Sequence, residues 1–208
     1  MKLKEMKRIL FSCLFLSAIS TCAAYDYNHE ASISYGIGTH NEIVNGFANV
    51  VGSIFTLGYA DVTDLKWSGA YNMRYAYHPV KFLGLGVTTS YQTSKGDIVE
   101  GSSKSKEDVR VVVGKAEGKY LTIMPSISLN WFDFNHVCMY SKVAVGYSMS
   151  KSKQTRFDPK EYKKTSEDQW GYQLSPIALE VGSPMVRGFF ELGFGYEGIL
   201  AAGVKCKF

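Results

Sequence analysis

Phe190-Glu191-Leu192-Gly193-Phe194-Gly195-Tyr196, then Leu200-Ala201-Ala202-Gly203-Val204-Lys205-Cys206-Lys207-Phe208, is the stretch that decides the fold. In the first run the large apolar residues Phe190, Leu192, Phe194 and Tyr196 alternate with Glu191, Gly193 and Gly195. In the second, Leu200, Ala202, Val204, Cys206 and Phe208 alternate with Ala201, Gly203, Lys205 and Lys207. A period of two is the signature of a β-strand with chemically different faces. A tight turn around Glu197-Gly198 makes the two runs a hairpin.

The same pattern recurs upstream and gives eight segments in all. Apolar faces are set by Ala31, Ile33, Tyr35 and Ile37; by Trp67, Tyr71, Met73, Tyr75 and Tyr77; by Leu83, Leu85, Val87 and Tyr91; and by Leu121, Ile123, Ile127, Leu129 and Trp131. Val137, Met139, Val143, Val145, Tyr147 and Met149 form the fifth face. The sixth begins with Trp170, Tyr172 and Leu174, slips in parity at Pro176, and continues through Ile177, Leu179 and Val181. A bulge at the proline, which has no N–H for the ladder, accounts for the slip. Connections alternate between short turns (78–81, 133–135, 182–185) and long segments (39–64, 95–117, 152–167). Short turns on one rim and long ones on the other fit an all-β, eight-stranded antiparallel up-and-down barrel.

Alternation alone does not say which face meets which medium. The face opposite the apolar one is made of Gly, Ser and Ala, a poor surface for a soluble protein but a good fit to a narrow lumen. It also carries Glu30, Arg74, Lys142, Glu180, Glu191, Lys205 and Lys207. Facing lipid, each Arg or Lys near the midplane would cost roughly 2–4 kcal/mol. Facing inward, the acids and bases pair as a network. The apolar face ends in aromatics at Trp67, Tyr77, Tyr91, Trp131, Trp170, Tyr196 and Phe208, the girdle pattern of a lipid interface. The reading is therefore a transmembrane barrel, with a soluble barrel as the alternative.

Composition agrees once the N-terminus is set aside. The chain has 208 residues, 46% hydrophobic and 14% aromatic, with 20 Gly and a formal charge of +4. Lys2, Lys4, Lys7 and Arg8 precede the apolar run Ile9–Ile19 and the small residues Ser20-Thr21-Cys22-Ala23-Ala24. That is the layout of a cleaved export signal over 1–24, leaving 25–208 as the barrel domain. The signal takes away four basic residues and Glu5, so +4 falls to +1, and nothing in the charge balance points to nucleic acid.

The final strand carries a resemblance. Gly203, Val204, Cys206 and Phe208, in a strand ending on an aromatic, resemble the assembly signal of bacterial outer-membrane proteins, with Cys206 in place of a bulkier apolar residue. Together with the export signal and the eight segments, the chain resembles the small OmpA/OmpX/OmpW-like porin family of Gram-negative outer membranes. The resemblance implies recognition by the barrel-assembly machinery, an outer-membrane location, and lipid and lipopolysaccharide as surroundings.

Chemistry is sparse. Lipid-modifying barrels use His with Ser and an acid at the outer rim. Of His29, His40, His78 and His136 only His40 falls on the long-loop side, next to Glu42. No His/Cys/Asp group has metal-ligand spacing, and no cofactor is expected. Cys138 and Cys206 fall on opposite faces of non-adjacent segments, which argues against a disulfide.

Ile43, Phe47, Val50, Val51 and Ile54 recur at helical spacing, so the first long connection is expected to hold a short amphipathic helix capped by Asn41. Its apolar face could meet the barrel mouth, lipid or an unknown protein partner. The third long connection carries Lys151, Lys153, Arg156, Lys160, Lys163 and Lys164, candidate contacts for lipopolysaccharide phosphates. Val109–Val113 could extend strands above the membrane. The expectation is a non-enzymatic outer-membrane barrel of structural or surface-binding type. The alternatives are a narrow conduit for small solutes or, less favoured, a lipid-modifying enzyme.

Overall fold

The computed structural model describes residues 28–44, 61–101, 110–134, 136–157 and 162–208. Eight antiparallel strands follow in order: β1 (His29–Ile37), β2 (Asp61–Val80), β3 (Leu83–Gly101), β4 (Arg110–Asp133), β5 (Val137–Arg156), β6 (Tyr162–Gly182), β7 (Val186–Gly195) and β8 (Leu200–Lys207). Each pairs with its neighbour in sequence, and β1 pairs with β8, so the sheet closes into a barrel. At the seam His29 and Phe208 exchange both backbone hydrogen bonds, at 2.9 and 2.8 Å. The export signal at 1–24 lies outside the described residues.

The strands fall into two length classes. β1, β7 and β8 have 9, 10 and 8 residues, whereas β2 to β6 have 19 to 24. All are flush at the short-turn end, where Val80 pairs with Leu83, Asp133 with Cys138 and Gly182 with Arg187. The long strands therefore rise as a wall above the opposite rim.

This corrects the loops expected over 95–117 and 152–167, while the strand extension expected at Val109–Val113 is present over its described residues, 110–113. β3 and β4 stay paired as far as Gly101 opposite Arg110, and β5 and β6 as far as Thr155 opposite Tyr162. The hydrogen-bond ladder continues where apolar alternation stops. Above the rim neither face needs a Leu or Val, so the sequence loses its period while the backbone keeps pairing.

Of the register shifts in the sheet, two bear directly on the side-chain parity expected from the sequence. One lies between Leu174 and Ile177, at Pro176. The other lies between Trp67 and Ala70, where Gly69 adopts φ 70°. A left-handed residue suits Gly, and a Cβ here would overlap the Tyr35 phenol and the Gly36 carbonyl. The second bulge overturns the outward placement of Trp67. Trp67 pairs with Ser94, whose side chain is buried, and its ring lies 5.4 Å from Tyr120 on the inner side of the wall.

Elsewhere the alternation translates directly into geometry. Met73, Tyr75, Leu85, Val87, Ile127, Val143, Val145, Leu179, Phe190 and Val204 are exposed on the outside. From Leu121 to Trp131 is ten residue steps; at ~3.3 Å each and a tilt of ~40° they cover about 25 Å, the height of a membrane's apolar band. Aromatics crowd both borders, with Tyr77, Phe82, Trp131 and Phe134 at the turn end and Tyr35, Tyr71, Tyr91, Tyr147 and Trp170 at the other. No helix among the described residues is long and apolar enough to cross a membrane, which is no constraint on a barrel that crosses with strands.

Candidate functional site

The lumen is filled with paired charge. In its lower half Glu30 meets Lys205 at 3.0 Å, Arg74 at 3.3 Å and His78 at 3.3 Å. Glu180 meets Lys205 at 2.5 Å, Lys207 at 3.3 Å and Arg187 at 3.4 Å. In the upper half Lys142 lies between Glu191 (2.6 Å) and Glu197 (2.8 Å). Tyr140 joins the halves: its hydroxyl donates to Glu191, and the Lys205 ammonium sits 4.3 Å from its ring centre. All these groups are buried. Every carboxylate has at least one cation at hydrogen-bond range, which is what lets ionised groups survive away from bulk water.

Glu30, Arg74, Lys142, Glu180, Glu191, Lys205 and Lys207 were readable from face parity. Arg187, His78 and Glu197 were not picked out. Arg187 shares the parity of Glu191 on β7 and could have been found that way. Glu197 could not, because it belongs to a turn.

That turn is the lumen's stopper. β7 ends at Gly195, and residues 196–198 fold into the barrel mouth instead of outward. Tyr196, expected on the lipid-facing girdle, is 3% exposed and packs with Met124 and Ala144. Inward polar groups hold the turn. Ser90 donates to the Tyr196 carbonyl at 3.1 Å, Asn72 to the Glu197 carbonyl at 3.1 Å, and Gln173 to the Gly198 carbonyl at 3.1 Å. The Glu197 N–H returns a bond to Gln173 Oε1 at 2.9 Å.

A helical turn at 40–44 sits on this stopper. Its cap is Thr39, not the expected Asn41. The Glu42 N–H donates to Thr39 Oγ1 at 3.3 Å, and Glu42 Oε2 accepts from the Thr39 N–H at 3.2 Å. This reciprocal pair is a capping box, and Thr39-His40-Asn41-Glu42 has its spacing. Asn41 instead donates to Gln92 at 3.3 Å. Glu42 spends its second oxygen on Gln92 at 2.9 Å.

His40 does not pair with Glu42. Its ring stacks on Tyr196 at 5.1 Å, and its Nδ1 is 3.0 Å from the Tyr172 hydroxyl. Burial lowers the imidazole from its ordinary value. Ile43 and Val44 are exposed; Phe47, Val50, Val51 and Ile54 lie outside the described residues. The other histidines are at the turn end. His29 bonds the Tyr75 hydroxyl at 2.7 Å and stacks on Phe208, and His136 Nδ1 is 3.1 Å from the Gly182 carbonyl. Cys138 faces the lumen on β5 and Cys206 the outside on β8, strands that do not pair.

Above the stopper, the wall formed by β3 to β6 has two unlike faces. Rows that run across it in register are Thr93, Lys119, Lys151 and Ser166, then Lys95, Glu117 and Lys153. These rows face outward, with Lys95, Lys119 and Lys151 exposed. The rows between them face inward: Gln92, Tyr120, Ser150 and Glu167, then Ser94, Gly118, Ser152 and Thr165. Of the six basic residues expected to act together, the side chains of two are described. Lys151 and Lys153 share the outer face, whereas the side chains of Arg156, Lys163 and Lys164 lie outside what the structure describes. Lys160 lies outside the described residues. Lys95, Lys115 and Lys119 belong to the outer face too and were missed, because 95–117 read as a loop and Lys119 precedes the first apolar residue of its segment, Leu121.

The inward rows and the helical turn enclose a polar cup of about 380 Å³. Among the described residues no cluster of three His, Cys, Asp or Glu is placed to hold a metal ion.

No family model matches the sequence, and no curated protein matches it. Among solved structures, the chain is similar in shape to Ail, the attachment invasion locus protein of Yersinia pestis. It also matches Ail in complex with the heparin analogue sucrose octasulfate. In both cases the identity is 15% and the TM-score 0.41, covering 86% of this chain and 95% or 96% of the other. The likeness is one of shape, so the porin-family reading rests on the sequence features alone.

Proposed function

We propose that this chain is an integral protein of a Gram-negative outer membrane, a non-enzymatic barrel that acts by structure and by surface binding. The observation that carries it is the division of polarity across the sheet. An apolar band about 25 Å tall faces out while the lumen buries Glu30, Glu180 and Glu191 with their cations. In water that outer band would be a vast unprotected apolar patch. In lipid it is ordinary.

A surface-binding role is favoured over a conduit by the stopper. The turn at 196–198 and the ion pairs beneath it occupy the cross-section that a solute would need. It is favoured over lipid chemistry by His40, whose ring nitrogen and face are engaged by Tyr172 and Tyr196. The partners in this reading are membrane lipid and the phosphates of lipopolysaccharide, met by Lys95, Lys119, Lys151 and Lys153 on the outer face of the wall. During biogenesis the assembly machinery would read the strand containing Gly203, Val204, Cys206 and Phe208.

The test is expression in a Gram-negative host, followed by membrane fractionation and electrophoresis with and without boiling. The expected result is an outer-membrane band that migrates faster unboiled, no steady ion steps in planar bilayers, and unchanged lipid A by mass spectrometry. A soluble band sinks the membrane reading; ion-selective steps favour the conduit, and altered lipid A the enzyme.

A further inference from the structure

The polar cup above the stopper has the chemistry of a ligand site, and neither the barrel's stability nor its membrane insertion calls for it. We propose that it binds a neutral, polyhydroxylated sugar chain. This rests on the surface-binding reading above and names the class of partner.

The first ground is the lining. Ser150, Ser152, Gln154, Thr165 and Gln169 present hydroxyls and amides, groups that both donate and accept. Sugar hydroxyls do the same, so each can be matched without leaving a buried charge. Glu167 is the one carboxylate among the described lining residues, and it suits a pair of adjacent hydroxyls as a two-oxygen acceptor.

The second ground is the aromatic surface. Tyr120 lines the cup, and its ring is held by Trp67, 5.4 Å away. The Gly69 bulge turns Trp67 inward to make that contact. A rigid aromatic face with a polar tip packs against the C–H face of a pyranose at little entropic cost. Gly118, one inner row above on the same strand, makes room for that ring, since a Cβ there would lie 2.9 Å from it.

The third ground is segregation of charge. Lys95, Lys119 and Lys151 lie on the same strands as the lining but point the other way. A site for a phosphate or sulfate would gather those cations inward. Here the lining puts none of them beside Tyr120, Ser150 and Ser152. The volume of about 380 Å³ falls within the roughly 300–1,000 Å³ of small-molecule sites.

Such a sugar could come from the cell's own surface glycolipid or from outside, and the experiment separates the two. The folded full chain, in a detergent without a sugar head group, is titrated by NMR with maltotriose. A parallel titration uses the dephosphorylated core oligosaccharide released from the host's lipopolysaccharide. The expected result is saturating shifts confined to amides of 118–120, 150–154 and 165–169, with at least tenfold weaker binding in Tyr120→Ala and near-native binding in Tyr120→Phe. Saturation by the core alone assigns the cell's own glycolipid; saturation by maltotriose assigns an external glycan. Ser152→Trp, which puts an indole into the cup while leaving Tyr120 in place, should also abolish binding and serves if Tyr120→Ala does not fold.

The proposal is overturned if neither probe saturates, if only a sulfated trisaccharide does, or if Tyr120→Ala and Ser152→Trp both bind as well as the parent. The unboiled fast-migrating band monitors the barrel throughout. Its presence with no sugar binding rejects the cup alone; its absence rejects the membrane reading beneath it.

Discussion

Lys142 Nζ lies 2.8 Å from Glu197 Oε2, tying a strand residue in the middle of the lumen to a turn that enters from the mouth. The same ammonium is 2.6 Å from Glu191 Oε2. The two substitutions that break this contact are therefore unequal. Lys142→Met strands two buried carboxylates and should cost about 3–5 kcal/mol. Glu197→Gln leaves Lys142 with Glu191 and keeps a polar partner, so about 1–3 kcal/mol is expected. Urea unfolding in lipid vesicles, followed by tryptophan fluorescence, gives both numbers. Equal losses would mean that Glu191 adds nothing once Glu197 is neutral, and no loss in Glu197→Gln would mean that the turn contributes nothing to holding Lys142.

Gly36 decides whether the turn fits at all. A Cβ at that position would overlap the Glu197 carbonyl oxygen, and β1 is fixed on both sides by β2 and β8. The turn must yield. Gly36→Ala should expose the amides of Glu197 and Ile199, whose hydrogen bonds run to Gln173 Oε1 and the Ile37 carbonyl. Hydrogen exchange at these two amides should accelerate at least tenfold, while Gly188→Ala, which has room around it, should leave them protected. Unchanged protection in Gly36→Ala would show that β1 moves instead.

The inside–outside assignment has a direct test in paired substitutions on one strand of the wall. Ile127 is exposed in the middle of the apolar band, and Glu117 lies ten residues higher on the same outward face of β4. Ile127→Lys should lose roughly 2–4 kcal/mol in a bilayer, whereas Glu117→Lys should stay within about 0.5 kcal/mol, as surface changes do. If both are tolerated, the band does not meet hydrocarbon.

What the sequence made legible was whatever lipid imposes. Between Leu121 and Trp131 every second residue had to be apolar, so the strand, its faces and the inward charges Glu30, Arg74 and Lys142 could all be read by parity. Above the rim that pressure ends. Lys115, Glu117 and Lys119 form a paired strand as regular as the rest, yet with water on both sides nothing periodic marked it. Two further features were hidden because they depend on backbone geometry. Gly69 flips Trp67 to the inner face, and Gly195, at φ 143°, opens the turn that carries Tyr196 and Glu197 into the lumen. The capping box at Thr39 and Glu42 was readable, but helical spacing further along drew attention to Asn41.

His40 supplies a pH dependence whose sign follows from its surroundings. Stacked on Tyr196 and beside the Tyr172 hydroxyl, the ring is partly buried, which lowers its pKa from the ordinary value. The unfolded chain should titrate near 6.5. Between the folded and unfolded values the unfolded chain holds a proton that the folded one does not, so stability rises with pH there. The contribution is complete above about 6.5 and is lost as pH falls through the folded value. Carboxylates elsewhere titrate as well, so the comparison must be with His40→Gln, which keeps a polar group at the Tyr172 hydroxyl and removes the titration. Between pH 7.5 and pH 5 the parent should lose more thermal stability than His40→Gln does, and an NMR titration of the ring should give a midpoint below 6.5. A parent that loses no more than the variant, or a midpoint above 6.5, would mean that the ring gains a favourable partner for its proton at the barrel mouth and is not held neutral between Tyr172 and Tyr196.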